Sequence, residues 1–179
     1  MYTFIYAQII KPRRVAAISL ANYVAHEMNN QDIVGYSVRF DKRVSPKTVI
    51  KYHTDGMLLR EAMDEANLDS YSFILIDECH ERSVNSEICI AILKRYLKKR
   101  NSKNTERNSK TSLPKLKLVI MSATMDTSIF SKYFWDAPII SISGKSFGVD
   151  TFRSATSVTD SLSAAIEVMS RIHRHAPIE

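Results

Sequence analysis

Two short polar clusters in this sequence are equipped for chemistry, and each directly follows an apolar run. Asp77-Glu78-Cys79-His80 follows Phe73-Ile74-Leu75-Ile76, and Ser122-Ala123-Thr124 follows Leu116 to Met121. A buried strand that ends in adjacent carboxylates suits a magnesium-nucleotide site. The first acid, Asp77, would hold the hydrated ion, and the second, Glu78, would polarise the attacking water. Acids also commonly open the solvent-facing loop after a strand, so the pair alone leaves chemistry and plain solvation both open.

The surrounding elements must bring those clusters together. Apolar runs of strand length alternate with amphipathic helical segments, the pattern of an α/β domain with a largely parallel sheet. Strands are expected at Ile5 to Ile10, Val34 to Val38, Thr48 to His53, Phe73 to Ile76, Leu116 to Met121 and Ile139 to Ile142. Phe73 to Ile76 is unbroken by polar residues, as befits a strand covered on both faces.

Helices are expected from Arg13 to Met28, where Ile18, Ala21, Ala25 and Met28 recur at spacings of three and four, and near Gly56 to Glu65. Further helices are expected at Val84 to Lys99, burying Val84, Ile88, Ala91, Ile92 and Tyr96, then at Thr127 to Phe134 and Val158 to His173. In such sheets ligands gather at the carboxyl ends of the strands. Both polar clusters lie at such ends.

The chain has 179 residues, 45% hydrophobic and 25% charged, which fits one globular domain with a sizeable core. No apolar run approaches the roughly 18 residues of a membrane span, and Met1 to Ile10 has no basic segment ahead of an apolar core. A soluble intracellular protein without membrane contact is the expectation.

The net charge of +6 is concentrated in one stretch: Lys98 to Lys117 holds eight basic residues and a single acid, Glu106. The stretch from Asn101 to Ser112 is also rich in Asn, Ser and Thr, and reads as a solvated loop inserted at about residues 100–115. Either it is only a soluble loop, or it adds sequence-independent attraction for phosphate.

Three patterns carry no chemistry. Cys79, His80, Cys89 and His53 lack the paired spacing of a zinc site. Cys79 beside His80 does not make a thiol nucleophile, because adjacent side chains usually point apart. Gly144-Lys145-Ser146 imitates the end of a phosphate-binding loop, but Ile139 stands where that loop requires Gly.

The order of the remaining motifs is more specific. Pro12-Arg13-Arg14-Val15-Ala16-Ala17 is followed by Thr54-Asp55-Gly56-Met57-Leu58-Leu59-Arg60-Glu61, then Asp77-Glu78-Cys79-His80-Glu81-Arg82, then Met121-Ser122-Ala123-Thr124-Met125. These resemble motifs Ia, Ib, II and III of the DEAH-box (DEAH/RHA) branch of superfamily 2 ATP-dependent RNA helicases. Val34 to Phe40 resembles another block of that family. The resemblance runs from about Ile9 to Pro177.

It implies a RecA-like three-layer α/β domain over residues 1–153, with 154–179 as a linker and helix leading toward a second such domain. It also implies catalytic roles for Asp77, Glu78 and His80. Asp77 and Glu78 would face ATP, Asp77 would hold Mg2+ through water, and Ser122 and Thr124 would couple nucleotide state to RNA. Arg13, Arg14, Thr54, Asp55 and Gly56 would grip the RNA backbone; for Arg13 and Arg14 alone, a solvated helix face is the competing reading. RNA, ATP and a protein activator are the implied partners. A nuclear or nucleolar location is the family expectation, with the cytoplasm as the alternative.

Departures from the family pattern are equally plain. No G-x-x-x-x-G-K-[ST] loop is present, so the sheet is expected to lack its phosphate-loop strand and helix and to be marginally stable at its edges. The arginine finger and motifs V and VI are absent, and an arginine finger alone is worth roughly 10³ to 10⁵ in rate. This chain alone is therefore expected not to turn over, as a fragment of a helicase or as a non-catalytic RNA- or partner-binding module. Lys11 stands where the family usually has Gln, and Cys79 where it has Ala.

Overall fold

The computed structural model of the protein describes residues 7–63, 65–103, 115–123, 127–144 and 148–175. Strands β1 (Ala7–Lys11), β2 (Val34–Val38), β3 (Asp41–Arg43), β4 (Ile50–Thr54), β5 (Phe73–Ile76) and β6 (Lys117–Ile120) form one sheet, in the order β3-β2-β4-β1-β5-β6. Every neighbouring pair is parallel except β2 with β3, which are joined by a tight turn at Arg39-Phe40. The helices are α1 (Arg14–Glu27), α2 (Asp55–Ala62), α3 (Val84–Lys103), α4 (Thr127–Tyr133) and α5 (Ser161–His175).

The strand order locates the site. The crossover from β1 through α1 to β2 runs toward the β3 edge, whereas β4 through α2 to β5, and β5 through α3 to β6, run the other way. Parallel crossovers are almost always right-handed, so opposite directions place α1 on one face and α2 with α3 on the other. The side chains agree. Ala17, Ala21 and Ala25 of α1 share a core with Val34 and Tyr52, joined by Ile9 and Ile50. Leu58 of α2 and Cys89, Ile90 and Leu93 of α3 share another with Ile10, Ile74 and Ile76. The direction reverses between β1 and β5. That boundary is the topological switch point, where the crevice of an open α/β sheet opens at the carboxyl edge.

Helix α3 buries a stripe that only partly matches the one its sequence suggests. Val84 and Ile88 are exposed and Ala91 faces solvent, whereas Tyr96 is buried and Ile92 half-buried as expected, and Cys89, Ile90 and Leu93 complete the buried side. Apolar residues lie on two sides of this helix, so periodicity alone does not fix its phase. The deciding contacts are α2 and the far strands, which only the fold supplies.

The buried stripe ends in Arg100, whose guanidinium donates to the carbonyls of Tyr71 (2.6 Å) and Leu68 (3.3 Å). A residue counted with the basic loop is thus a core residue, and α3 continues to Lys103. Residues 104–114 of that loop lie outside the described residues.

The chain divides into two units, one up to Ile139 and one from Ile140. No strand forms over residues 139–142, where Ile139, Ile140 and Ile142 are exposed. An apolar run becomes a strand only where a neighbour accepts its ladder. In the second unit, Asp160 caps α5: its carboxylate accepts from the Leu162 N–H at 3.0 Å and the Ser163 N–H at 3.3 Å. That cap starts the helix three residues later than its apolar pattern does.

Candidate active site

The carboxyl edge is built by register. Lys11 pairs with Thr54 across β1 and β4. Ile10 pairs with Ile76 across β1 and β5, so Lys11 and Asp77 leave the sheet side by side at the switch point. The Asp77 N–H donates to the Ile10 carbonyl at 3.0 Å, which extends that alignment beyond the ladder. Side chains alternate along a strand. Ile10 and Ile76 both point into the α2–α3 core, so Lys11 and Asp77 both point to the opposite face. There the Lys11 ammonium forms an ion pair with Asp77 Oδ2, both side chains largely buried.

The next turn is shaped by backbone conformation. Glu78 sits in the left-handed region, with φ 56° and ψ 37°, and Arg82 does likewise with φ 46°. A non-glycine residue held there costs about 1–2 kcal/mol and is found where surrounding structure imposes it. Here the imposing contacts are the Glu78 N–H to Asp77 Oδ1 (2.8 Å), the Cys79 N–H to the Met121 carbonyl (3.1 Å) and the Glu81 N–H to the Glu78 carbonyl (2.9 Å). The second of these stitches the loop after β5 to the loop after β6. As a result His80 Nδ1 lies 3.4 Å from Glu78 Oε2 and 3.4 Å from Ser122 Oγ.

Glu78 and Ser122 therefore meet through His80, while Asp77 turns to Lys11. Thr124 lies outside the described residues. Cys79 is buried and its thiol is pushed up to about 12, by burial first and by the Asp77 charge second. It is a packing residue, not a nucleophile.

The residues expected to grip RNA divide into two groups. Arg13 and Arg14 are exposed at the start of α1, and Arg13 Nη2 donates to Glu81 Oε1 at 3.1 Å. An exposed pair of this kind is weak and easily exchanged for a phosphate. Thr54 and Asp55, by contrast, are buried. Asp55 Oδ2 accepts from Ser83 Oγ at 2.5 Å and from Ser86 Oγ at 3.3 Å, while Oδ1 accepts from the Gly56 N–H at 2.7 Å. Ser83 Oγ also accepts from the Ser86 N–H at 3.0 Å and so caps α3. Asp55 is a clasp between α2 and the start of α3, and of Thr54, Asp55 and Gly56 only Gly56 faces solvent.

No family model matches the chain. Over 171 residues it is 40% identical to the human (Homo sapiens) ATP-dependent RNA helicase DHX33, an alignment that covers 94% of this chain. The chain is a relative of the DEAH-box RNA helicases. It spans 23% of the length of that curated relative. The mostly parallel sheet with helices on both faces is the α/β arrangement of a RecA-like helicase domain, and the described residues of the four ordered motifs fall on its strand ends and helix starts.

Magnesium is the ion implied for such helicases, and Asp77 is the residue that would hold it. As arranged, Asp77 does not offer it a free site. One carboxylate oxygen accepts the Glu78 N–H and the other carries the Lys11 ammonium. Among the described residues, no group of three His, Cys, Asp or Glu side chains could hold a metal.

Sequence reading missed the Lys11 pairing. The signal for it was available: Lys11 and Asp77 each directly follow the last apolar residue of a strand.

Proposed function

We propose that this chain is the ATP-binding segment of an ATP-dependent RNA helicase, and that the protein it represents couples ATP hydrolysis to RNA unwinding or remodelling. One observation carries the reading. Asp77, Glu78, His80 and Ser122 converge at the switch point of a parallel sheet, in a chain 40% identical to part of an RNA helicase.

In this reading ATP is the substrate, and its terminal phosphate lies at the carboxyl edge between β1 and β5. Glu78, whose side chain is 41% exposed, orients the attacking water. His80 links that carboxylate to Ser122 and, beyond it, to Thr124, so that a change at the phosphate is felt in the loop after β6. Arg13, Arg14 and Gly56 meet the RNA backbone, which fixes register without reading sequence. Asp55 acts through α3, holding the RNA-facing start of α2 against the segment that carries Glu78 and His80. Residues 1–153 form the ATP-binding domain in this proposal, and residues 154–179 form a linker and helix. RNA processing in the nucleus or nucleolus, with a protein activator, follows from the same reading; no described helix is long and apolar enough to cross a membrane.

The ion pair on Asp77 favours a second reading, in which the chain binds RNA or a helicase partner without catalysis. Fluorescence anisotropy of a labelled single-stranded oligoribonucleotide separates the two. Both predict salt-sensitive binding of about 10⁻⁴ to 10⁻⁶ M that weakens in Arg13→Glu/Arg14→Glu. A non-hydrolysable ATP analogue changes that affinity if the helicase reading holds and leaves it unchanged in the non-catalytic one. Absence of RNA binding at low salt eliminates both.

A further inference from the structure

We infer that Lys11 is the resident cation of the acidic turn: its ammonium holds the Asp77 oxygen at which a divalent ion would sit, so a divalent metal binds weakly there until Lys11 is removed. The placement is a consequence of register rather than of a mobile surface side chain. Lys11 ends β1, Asp77 follows β5 directly, and the strands are parallel neighbours aligned at Ile10 and Ile76. The two side chains share a face and are 14% and 20% exposed.

Both Asp77 oxygens are already engaged, since Oδ1 accepts the Glu78 N–H at 2.8 Å. Glu78 turns one carboxylate oxygen toward His80, 3.4 Å away. A divalent ion approaching Asp77 would meet a fixed positive charge in a partly desolvated crevice, where like-charge repulsion is several-fold stronger than in water. It would also have to displace an ion pair already formed.

The chemical consequence concerns phosphate. A lysine presents a single positive charge and up to three N–H donors, whereas magnesium presents two charges and bridges phosphate oxygens. A nucleotide's phosphates at this edge would therefore meet the Lys11 ammonium directly, and their binding would depend little on added metal.

This inference deepens the nucleotide-site reading, but its test uses neither nucleotide nor RNA, so the two can fail separately. Free Mn2+ is measured by electron paramagnetic resonance during titration of the wild-type chain, Lys11→Gln, Lys11→Arg and Lys11→Gln/Asp77→Asn. Lys11→Gln is expected to bind Mn2+ at least about tenfold more tightly than wild type. That gain disappears in the double variant, and Lys11→Arg stays at the wild-type affinity. Equal affinities in wild type and Lys11→Gln, whether tight or weak, overturn the inference, as does a gain that survives the loss of Asp77. If Lys11→Gln fails to fold by circular dichroism, wild type is compared with Asp77→Asn instead. Unchanged Mn2+ binding supports the inference, and weaker binding in Asp77→Asn overturns it.

Discussion

Two lysine–carboxylate pairs in this domain have nearly the same burial and different surroundings. Lys11 and Asp77 are 14% and 20% exposed, and Lys51 and Glu61 are 15% and 24% exposed. Lys11–Asp77 stands at the carboxyl edge of the sheet. Lys51–Glu61 lies between β4 and α2, inside a web: Glu61 accepts from Lys51 at 3.0 Å, from Gln8 Nε2 at 3.1 Å and from Tyr71 at 2.8 Å.

His53 completes that web. It is fully buried, with Nδ1 3.0 Å from Gln8 Nε2 and Nε2 3.7 Å from Glu61. Burial works to raise the Glu61 pKa, but its interactions with His53 and Lys51 and the hydrogen bonds donated by Lys51 and Tyr71 hold it below the usual range. The contrast teaches that burial does not assign a role. A carboxylate bonded from several elements is a structural junction, whereas one held by a lysine and its own turn at a strand end places that lysine where a ligand's phosphate can reach it.

The largest test of that contrast is Glu61→Ala. It leaves Lys51, Gln8 and Tyr71 without their shared acceptor and should cost about 4 kcal/mol by urea denaturation. An equal cost for Asp77→Ala would erase the distinction.

Next is pH. Burial, with the neighbouring Lys51 charge, holds the His53 pKa down to about 4 from 6.5. Between those values the unfolded chain takes up the proton and the folded chain does not, so stability present above pH 6.5 is lost as pH falls. A loss of about 3 kcal/mol is expected across that window, and His53→Gln should flatten the profile.

A packing substitution supplies a control that involves no charge. A Cβ on Gly35 would lie 2.4 Å from the backbone oxygen of Arg43. Gly35→Ala should cost about 2 kcal/mol, equally at pH 7 and pH 5. The smallest effect expected is that of Asp77→Asn, about 1 kcal/mol, because the amide keeps an oxygen for the Lys11 ammonium.

Much of this architecture is readable from the sequence, for physical reasons that differ by element. Phe73 to Ile76 and Val34 to Val38 are short apolar runs whose partners are other strands, and they form where their composition says. Helix α1 keeps its alanine stripe because Ala17, Ala21 and Ala25 permit close approach to the sheet.

The phase of α3 is only partly readable: Tyr96 is buried as its spacing suggests, but Val84, Ile88 and Ala91 are not. Its apolar residues lie on two sides, and the buried side is chosen by α2 and by Arg100 reaching the Leu68 and Tyr71 carbonyls. Strand β3 was also invisible, since Asp41-Lys42-Arg43 is polar and fully exposed and is strand only by pairing with β2. At the site, the convergence of Asp77, Glu78, His80 and Ser122 follows from motif order. The inward turn of Asp55 does not, because it depends on Ser83 and Ser86, nearly thirty residues away or more.

The assignment of the carboxyl edge to nucleotide is tested most directly by ¹H–¹⁵N chemical-shift mapping of the chain titrated with ADP and, separately, with a short single-stranded RNA. The predicted result is that ADP perturbs amides of Lys11, Asp77, Glu78, His80 and Ser122, that RNA perturbs Arg13, Arg14 and Gly56, and that Lys51, His53 and Tyr71 stay silent. Shifts centred on the Glu61 web, or none at the carboxyl edge with either ligand, would contradict it.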